Sequence, residues 1–95
     1  MATEVTDNIA QGRYELHVDG ELAGIETYRI YNDTITFVHT EVFDAFSGRG
    51  LASQLIKHVL DDARVRGLRV VPRCPLVAAY IERHPEYQDL VDSAA

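Results

Sequence analysis

Phe46-Ser47-Gly48-Arg49-Gly50-Leu51-Ala52 joins an extended apolar run to an amphipathic helix through a glycine turn. A helix start leaves N–H groups without intrahelical partners, and the macrodipole adds partial positive charge there. Glycine at 48 and 50 lets an anion reach the main chain without meeting a Cβ, so the turn reads as a cradle for a diphosphate. A tight strand-to-helix connection with no ligand is the other reading. Two nucleotide-binding patterns are excluded. No Gly-Lys-Ser/Thr closes the turn as in a P-loop, and the third glycine and distal carboxylate of a dinucleotide fingerprint are missing.

Working back from the turn, residues 34–42 read as a strand in which Ile35, Phe37, His39 and Glu41 share one face and Thr36, Val38, Thr40 and Val42 the other. Residues 13–18 and 22–30 read as two earlier strands, joined at Asp19-Gly20 by a tight hairpin turn, with Asn32-Asp33 marking the next turn. Working forward, Leu51, Leu55, Ile56, Val59, Leu60 and Ala63 recur at helical spacing, and Gly67 follows as a C-cap. Residues 68–71 are then a short strand parallel to the 34–42 strand, reached by a right-handed crossover. Pro75 opens a second helix that ends near His84-Pro85. The expected order is β-β-β-α-β-α. It is an α+β fold, a three-stranded antiparallel meander followed by a β-α-β crossover and a C-terminal helix. The chain reads as one domain over residues 1–95 with an ordered core of about 13–91, the first dozen residues and 92–95 being frayed.

The chain has 95 residues, 46% of them hydrophobic, with no apolar run near the ~20 needed to span a bilayer. Met-Ala-Thr-Glu-Val-Thr-Asp-Asn carries no cationic start or apolar core of an export signal, so a cytoplasmic location is expected. The one cysteine, Cys74, leaves no partner for an internal disulfide and no second thiol for a structural zinc site. Nine basic and fifteen acidic residues give a net charge of −6, which disfavours non-specific binding to nucleic acid or anionic membrane. Residues 1–47 hold two of the cations against nine carboxylates, and residues 48–95 hold seven against six. An anionic ligand is therefore expected in the second half.

Ser47-Gly48-Arg49-Gly50-Leu51-Ala52 resembles the Gln/Arg-x-x-Gly-x-Gly/Ala signature of the GNAT superfamily of acetyl-CoA-dependent N-acetyltransferases. Ser47 stands where that family has Gln or Arg. His39-Thr40-Glu41-Val42, Cys74-Pro75 and His84-Pro85-Glu86-Tyr87 are similar to segments of its short single-domain branch. The resemblance spans roughly residues 13–91. It implies a minimal GNAT-like fold, with acetyl-CoA as cosubstrate and no metal. It further implies that the amides of Gly48, Arg49, Gly50, Leu51 and Ala52 hold the pyrophosphate, with Ser47 at the cofactor site where the family's Gln or Arg stands, and that the strand end at Thr40 and Val42 contacts pantetheine. The two helices that follow the family's first strand, and its final strand pair, have no counterpart here. They normally shape the acceptor site, so the acceptor's identity does not carry over.

Acetyl transfer to an amine requires a deprotonated nucleophile, a polarised carbonyl and a protonated leaving thiolate. Glu41 is the candidate general base, with partial burial expected to raise its pKa, and His39 on the same face competes for that role or orients Glu41. Tyr80 matches the family tyrosine that protonates the CoA thiolate. A main-chain amide near Val42 would polarise the carbonyl. Cys74, before Pro75 at a helix N-terminus, is a transient acetyl acceptor, a thiol lining the cofactor tunnel, or an inert core residue. His17, His58 and His84 share no ligand spacing and are assigned no chemistry.

The expected function is direct transfer of acetyl from CoA to an amine in a ternary complex. The acceptor is an amine-bearing small molecule or a protein lysine, and a homodimer could complete the open acceptor groove. The alternatives are a non-catalytic CoA- or acyl-CoA-binding module and a protein-interaction module.

Overall fold

Asp19 and Gly20 both take positive φ, 50° and 85°, as a two-residue hairpin turn matched to strand twist requires. Asn32 does so at the next turn, with φ 54°. The computed structural model describes residues 2–92. The elements are β1 (Thr3–Asn8), β2 (Arg13–Val18), β3 (Glu21–Tyr31), β4 (Thr34–Val42), α1 (Leu51–Val65), β5 (Arg69–Pro72) and α2 (Pro75–Arg83). Short 3-10 turns cover Ile9–Gln11, Asp44–Phe46 and Pro85–Leu90. One sheet runs in the order β1-β2-β3-β4-β5, antiparallel up to β4 and parallel between β4 and β5.

The crossover follows from the sequence pattern. Leu51, Leu55, Ile56, Val59, Leu60 and Ala63 form the buried stripe of α1, packed on Tyr14, Leu16, Val18, Ile35, Phe37 and Val70 of the sheet. Gly67, at φ 70°, ends the helix in a Schellman arrangement: its N–H donates to Arg64 O and that of Leu68 to Ala63 O. Val77, Tyr80 and Ile81 of α2 join the same core, so both helices cover one face of the sheet. The other face stays open.

Three expectations are corrected. Residues 2–12 do not fray, because β1 pairs with β2 from Thr3↔Val18 to Asn8↔Arg13 and adds a fourth antiparallel strand; Met1 lies outside the described residues. Val5 is its one apolar residue, too weak a signal for a strand, and polar contacts fasten it instead. Asp7 accepts a hydrogen bond from the Tyr28 hydroxyl at 2.6 Å and pairs with Arg66 of α1 at 3.5 Å. Burial, with Asp7 beside it, pushes the Tyr28 phenol up to about 12. At the other end, Asp92 donates its N–H to Val70 O at 2.9 Å rather than fraying; 93–95 lie outside the described residues.

The third correction concerns β4. Its register against β3 slips between Thr27↔His39 and Tyr28↔Phe37, leaving Val38 as an extra residue. This bulge inverts the alternation. Ile35 and Phe37 are buried, but beyond Val38 it is Thr40 that turns toward the helices, while His39 and Glu41 turn to the open face.

Gly24 lies beside this segment, and a Cβ there would sit 2.8 Å from Glu41 O of the neighbouring strand. Gly24→Ala should push β3 from β4 and lower stability by about 1–3 kcal/mol in urea unfolding. An unchanged midpoint would mean that the strands have slack at this position.

Candidate functional site

β4 has nine residues and β5 four, so pairing between them stops at Phe37↔Pro72. Pro72 ends β5 and the N–H of Cys74 closes the gap by donating to Phe37 O at 2.9 Å. Past this apex residues 38–42 have no β5 neighbour. Phe43 N–H donates to Ala23 O at 2.9 Å, and strand alternation counted back from it turns the main-chain N–H groups of Thr40 and Val42 toward the opened edge.

The edge leads to the glycine turn. Gly48 and Gly50 both take positive φ, 78° and 71°, and a Cβ at either would meet nothing within 4 Å. Gly50 is the N-cap of α1, no side chain caps the helix, and its first turn holds no carboxylate. A Ser or Asp cap would contribute about 1 kcal/mol, so the first-turn N–H groups stay available where the macrodipole is positive. Ser47 does not face this cradle with its hydroxyl, which donates to Asp44 O at 3.0 Å. Arg49 lies over the Phe46 ring at 5.6 Å, Leu51 is buried and Ala52 half-buried. The uncapped turn, the glycines and the opened edge fit a pantetheine-linked diphosphate such as CoA.

Most second-half cations have partners within the fold, so the candidate cradle lies in the expected half of the chain without them. Lys57 pairs with Asp61, Arg64 with Asp89, and Arg66 with Asp62 and Asp7. Arg69 donates to Asp89 O and Val91 O. What the candidate cradle offers an anion is chiefly main-chain donors.

His39 and Glu41 are brought together, with Nε2 and Oε1 3.5 Å apart, on the open face. Their side chains are 60% and 49% exposed, so the partial burial expected of Glu41 does not occur. Tyr80 is buried on the helix side, its ring stacked on His84 at 4.1 Å and tilted against Tyr87 at 6.0 Å. His84, assigned no chemistry from sequence, is thus the residue that holds the Tyr80 ring.

Sequence reasoning missed Glu26. It is fully buried, faces Thr40 in the β3–β4 register, and accepts a hydrogen bond from the Thr40 hydroxyl at Oε1. Its Oε2 has no hydrogen-bond partner among the described residues. Thr40 Oγ1 also lies 3.1 Å from the sulfur of Cys74, which is itself buried at the α2 N-cap. Burial pushes the Glu26 carboxyl up to about 8, against the opposing hydrogen bond from Thr40. The available signal was phase: Glu26 alternates with Gly24 and Tyr28 on the helix-facing side of β3.

A family model of GCN5-related N-acetyl-transferases matches residues 13–90. The chain belongs to this family. Among curated proteins, NATD1 of Xenopus tropicalis is 36% identical over 52 residues, 55% of this chain and 48% of NATD1. The chain thus spans about half the length of the curated relative it matches. The solution structure of a GCN5-like protein from Staphylococcus aureus superposes with a TM-score of 0.71 at 25% identity, covering 94% of this chain and 87% of that one. A GNAT-family acetyltransferase from Elizabethkingia anophelis, solved with acetyl-CoA bound, shares the fold with a TM-score of 0.59 at 17% identity, covering 81% and 54%. The mixed five-stranded sheet with its crossover helix is the fold of these relatives.

The Glu26 carboxyl is protonated in both folded and unfolded chains below about pH 4.5, and its raised folded value means that stability is lost as pH rises toward about 8. That loss amounts to a few kcal/mol. Glu26→Gln cannot ionise, so it should flatten the dependence and be more stable than wild type at pH 8 by roughly 1–3 kcal/mol. Denaturant unfolding at pH 5 and pH 8 checks this; parallel wild-type and variant curves would show that Glu26 is not the group responsible.

Proposed function

We propose that the chain is an acetyl-CoA-dependent N-acetyltransferase that passes the acetyl group directly from thioester to amine in a ternary complex. One observation carries the reading: the opened edge of β4 runs from an uncapped glycine turn to the apex at Cys74, with His39 and Glu41 on the adjoining open face. Acetyl-CoA when bound supplies an activated acetyl thioester. The amides of residues 48–52 hold its diphosphate, and the N–H groups of Thr40 and Val42 bind pantetheine and polarise the carbonyl. Glu41, paired with His39, takes the amine proton directly or through water. Tyr80, fixed against His84, protonates the departing thiolate. Holding amine and thioester together supplies much of the remaining acceleration.

The acceptor, a small-molecule amine or a protein lysine, approaches the sheet face that no helix covers, and a second copy of the chain in a homodimer would close that face. A lone buried thiol suits a reducing, cytoplasmic setting. The uncovered face also favours a second reading, a CoA-binding module without turnover. Saturable acetyl-CoA binding with no product across a broad amine panel would select it.

Gly50→Glu places bulk and negative charge in the cradle, while Gly50→Ala imposes the same positive-φ strain without the charge. Calorimetry should show acetyl-CoA binding lost in the first and only weakened in the second, whose Cβ enters the cradle without a charge. Amine-dependent CoA release should fall by a factor of about 100 in Glu41→Gln and in Tyr80→Phe. Wild-type release rates in both variants would remove these residues from the mechanism.

A further inference from the structure

Direct transfer uses only the nitrogen of the acceptor, and the open sheet face carries a groove beside the place where that nitrogen reacts. Thr36 on β4 is in register with Arg29 on β3 and with Val71 on β5, so the three form one row across adjacent strands. Neighbouring strands lie about 4.8 Å apart, which puts Arg29 and β5 on opposite sides of a floor about 10 Å wide. Val38, the bulge residue, extends the floor, and Arg73 and Asp92 line the β5 side. The groove encloses about 600 Å³, within the roughly 300–1,000 Å³ of small-molecule sites.

Its charges set it apart from the rest of the surface. Arg13, Lys57, Arg64, Arg66 and Arg69 all have partners within the fold. The side chains of Arg29 and Arg73 make no ion pair or hydrogen bond among the described residues, although residues 1–47, which include Arg29, hold nine carboxylates. Both line this one groove. Against them stands one carboxylate, Asp92, so the lining carries a net charge of +1 on a chain whose total is −6. A single carboxylate on a ligand matches that charge, and guanidinium forks bind carboxylate in bidentate fashion. Val38 and Val71 cover the alkyl part of such a molecule, and Thr36 between them adds a hydroxyl donor.

Strand geometry sets the distance to the reacting end. Arg29 lies two residues along β3 from Thr27, which faces His39, a separation of about 7 Å. Val38 and Arg73 also flank the apex, because their chain neighbours Phe37 and Cys74 make the hydrogen bond that closes it. The groove therefore leads from the two arginines toward the inner end of the proposed cofactor cleft.

We propose that this groove selects the acceptor, and that the acceptor is a primary amine carrying a carboxylate, which Arg29 and Arg73 clamp about 7–10 Å from the nitrogen that Glu41 serves. The inference rests on the acetyltransferase reading above. Arg29 and Arg73 touch the acceptor away from the reacting atoms, so their contribution is read in KM rather than in kcat.

The test compares ε-aminocaproate with its neutral counterpart ε-aminocaproamide, by calorimetric titration into protein saturated with CoA and by amine-dependent CoA release from acetyl-CoA. The carboxylate should bind more tightly and show a kcat/KM about tenfold or more above the amide, with the difference in KM. Arg29→Met and Arg73→Met keep the stem and remove the charge, and each should shrink that ratio to about threefold or less. Arg29→Glu should reverse the order, with hexamethylenediamine preferred over ε-aminocaproate. Turnover of both amines with equal KM would overturn this proposal and leave the acetyltransferase reading standing. A ratio undiminished in both Met variants, or tighter binding of aminopentyl phosphate than of ε-aminocaproate, would likewise overturn it. Absence of acetyl-CoA binding would overturn both.

Discussion

The site depends on one strand losing its partner halfway along. β4 keeps β5 beside it for four residues, then continues alone to Val42 while the chain turns at Pro72 into α2. Proline brings no N–H to extend the ladder, and Cys74 N–H takes the last available carbonyl at Phe37. Beyond that point main-chain donors of β4 face a cleft with no strand to satisfy them. Unsatisfied backbone donors are expensive in a closed core and useful beside a ligand rich in amides and carbonyls. The bulge at Val38 works with this break, because it sends His39 and Glu41 to one side of the sheet and Thr40 to the other. The proposed acceptor chemistry and the proposed cofactor contact are thereby separated across a single strand.

A second departure from ordinary stabilisation lies at each end of the cleft. The start of α1 forgoes a side-chain cap and uses left-handed glycine where Ser or Asp would bind the first-turn amides. At the apex a carboxyl is buried with one hydrogen bond and no counter-charge. Both cost stability in isolation. Elsewhere polar groups fasten the elements: Tyr14, Tyr28, Asp7, Asp62 and Arg66 tie β1 to the end of α1, and Arg64 ties α1 to Asp89.

Much of the architecture was legible because its signals are local. Asp19-Gly20 declares a hairpin, the apolar spacing of Leu51 to Ala63 declares a crossover helix, and Gly67 and Pro75 mark where helices stop and start. β1 was illegible because Thr, Glu and Asp dominate it and its ties are to residues distant in sequence, Tyr28 and Arg66. The bulge was missed because no glycine marks Val38, although the apolar–polar alternation breaks there, at the adjacent Phe37 and Val38. That one extra residue reversed the assigned face of Thr40 relative to Phe37, although the pairing of His39 with Glu41 survived. Glu26 escaped notice because a strand carboxylate ordinarily faces water, and the bulge in β4 is what brings the Thr40 hydroxyl to it. The excess of cations after residue 47 was real, but it reports mainly on how α1 is fastened.

The central claim, that a CoA thioester lies along the unpaired edge of β4 with its diphosphate on the α1 start, is tested most directly by amide NMR of the protein titrated with acetyl-CoA. The account predicts saturable shifts concentrated at residues 48–52 and at Thr40, Val42 and Cys74, with the β1–β2 pair unaffected. Shifts confined to the open sheet face, or no shifts at all, would contradict it.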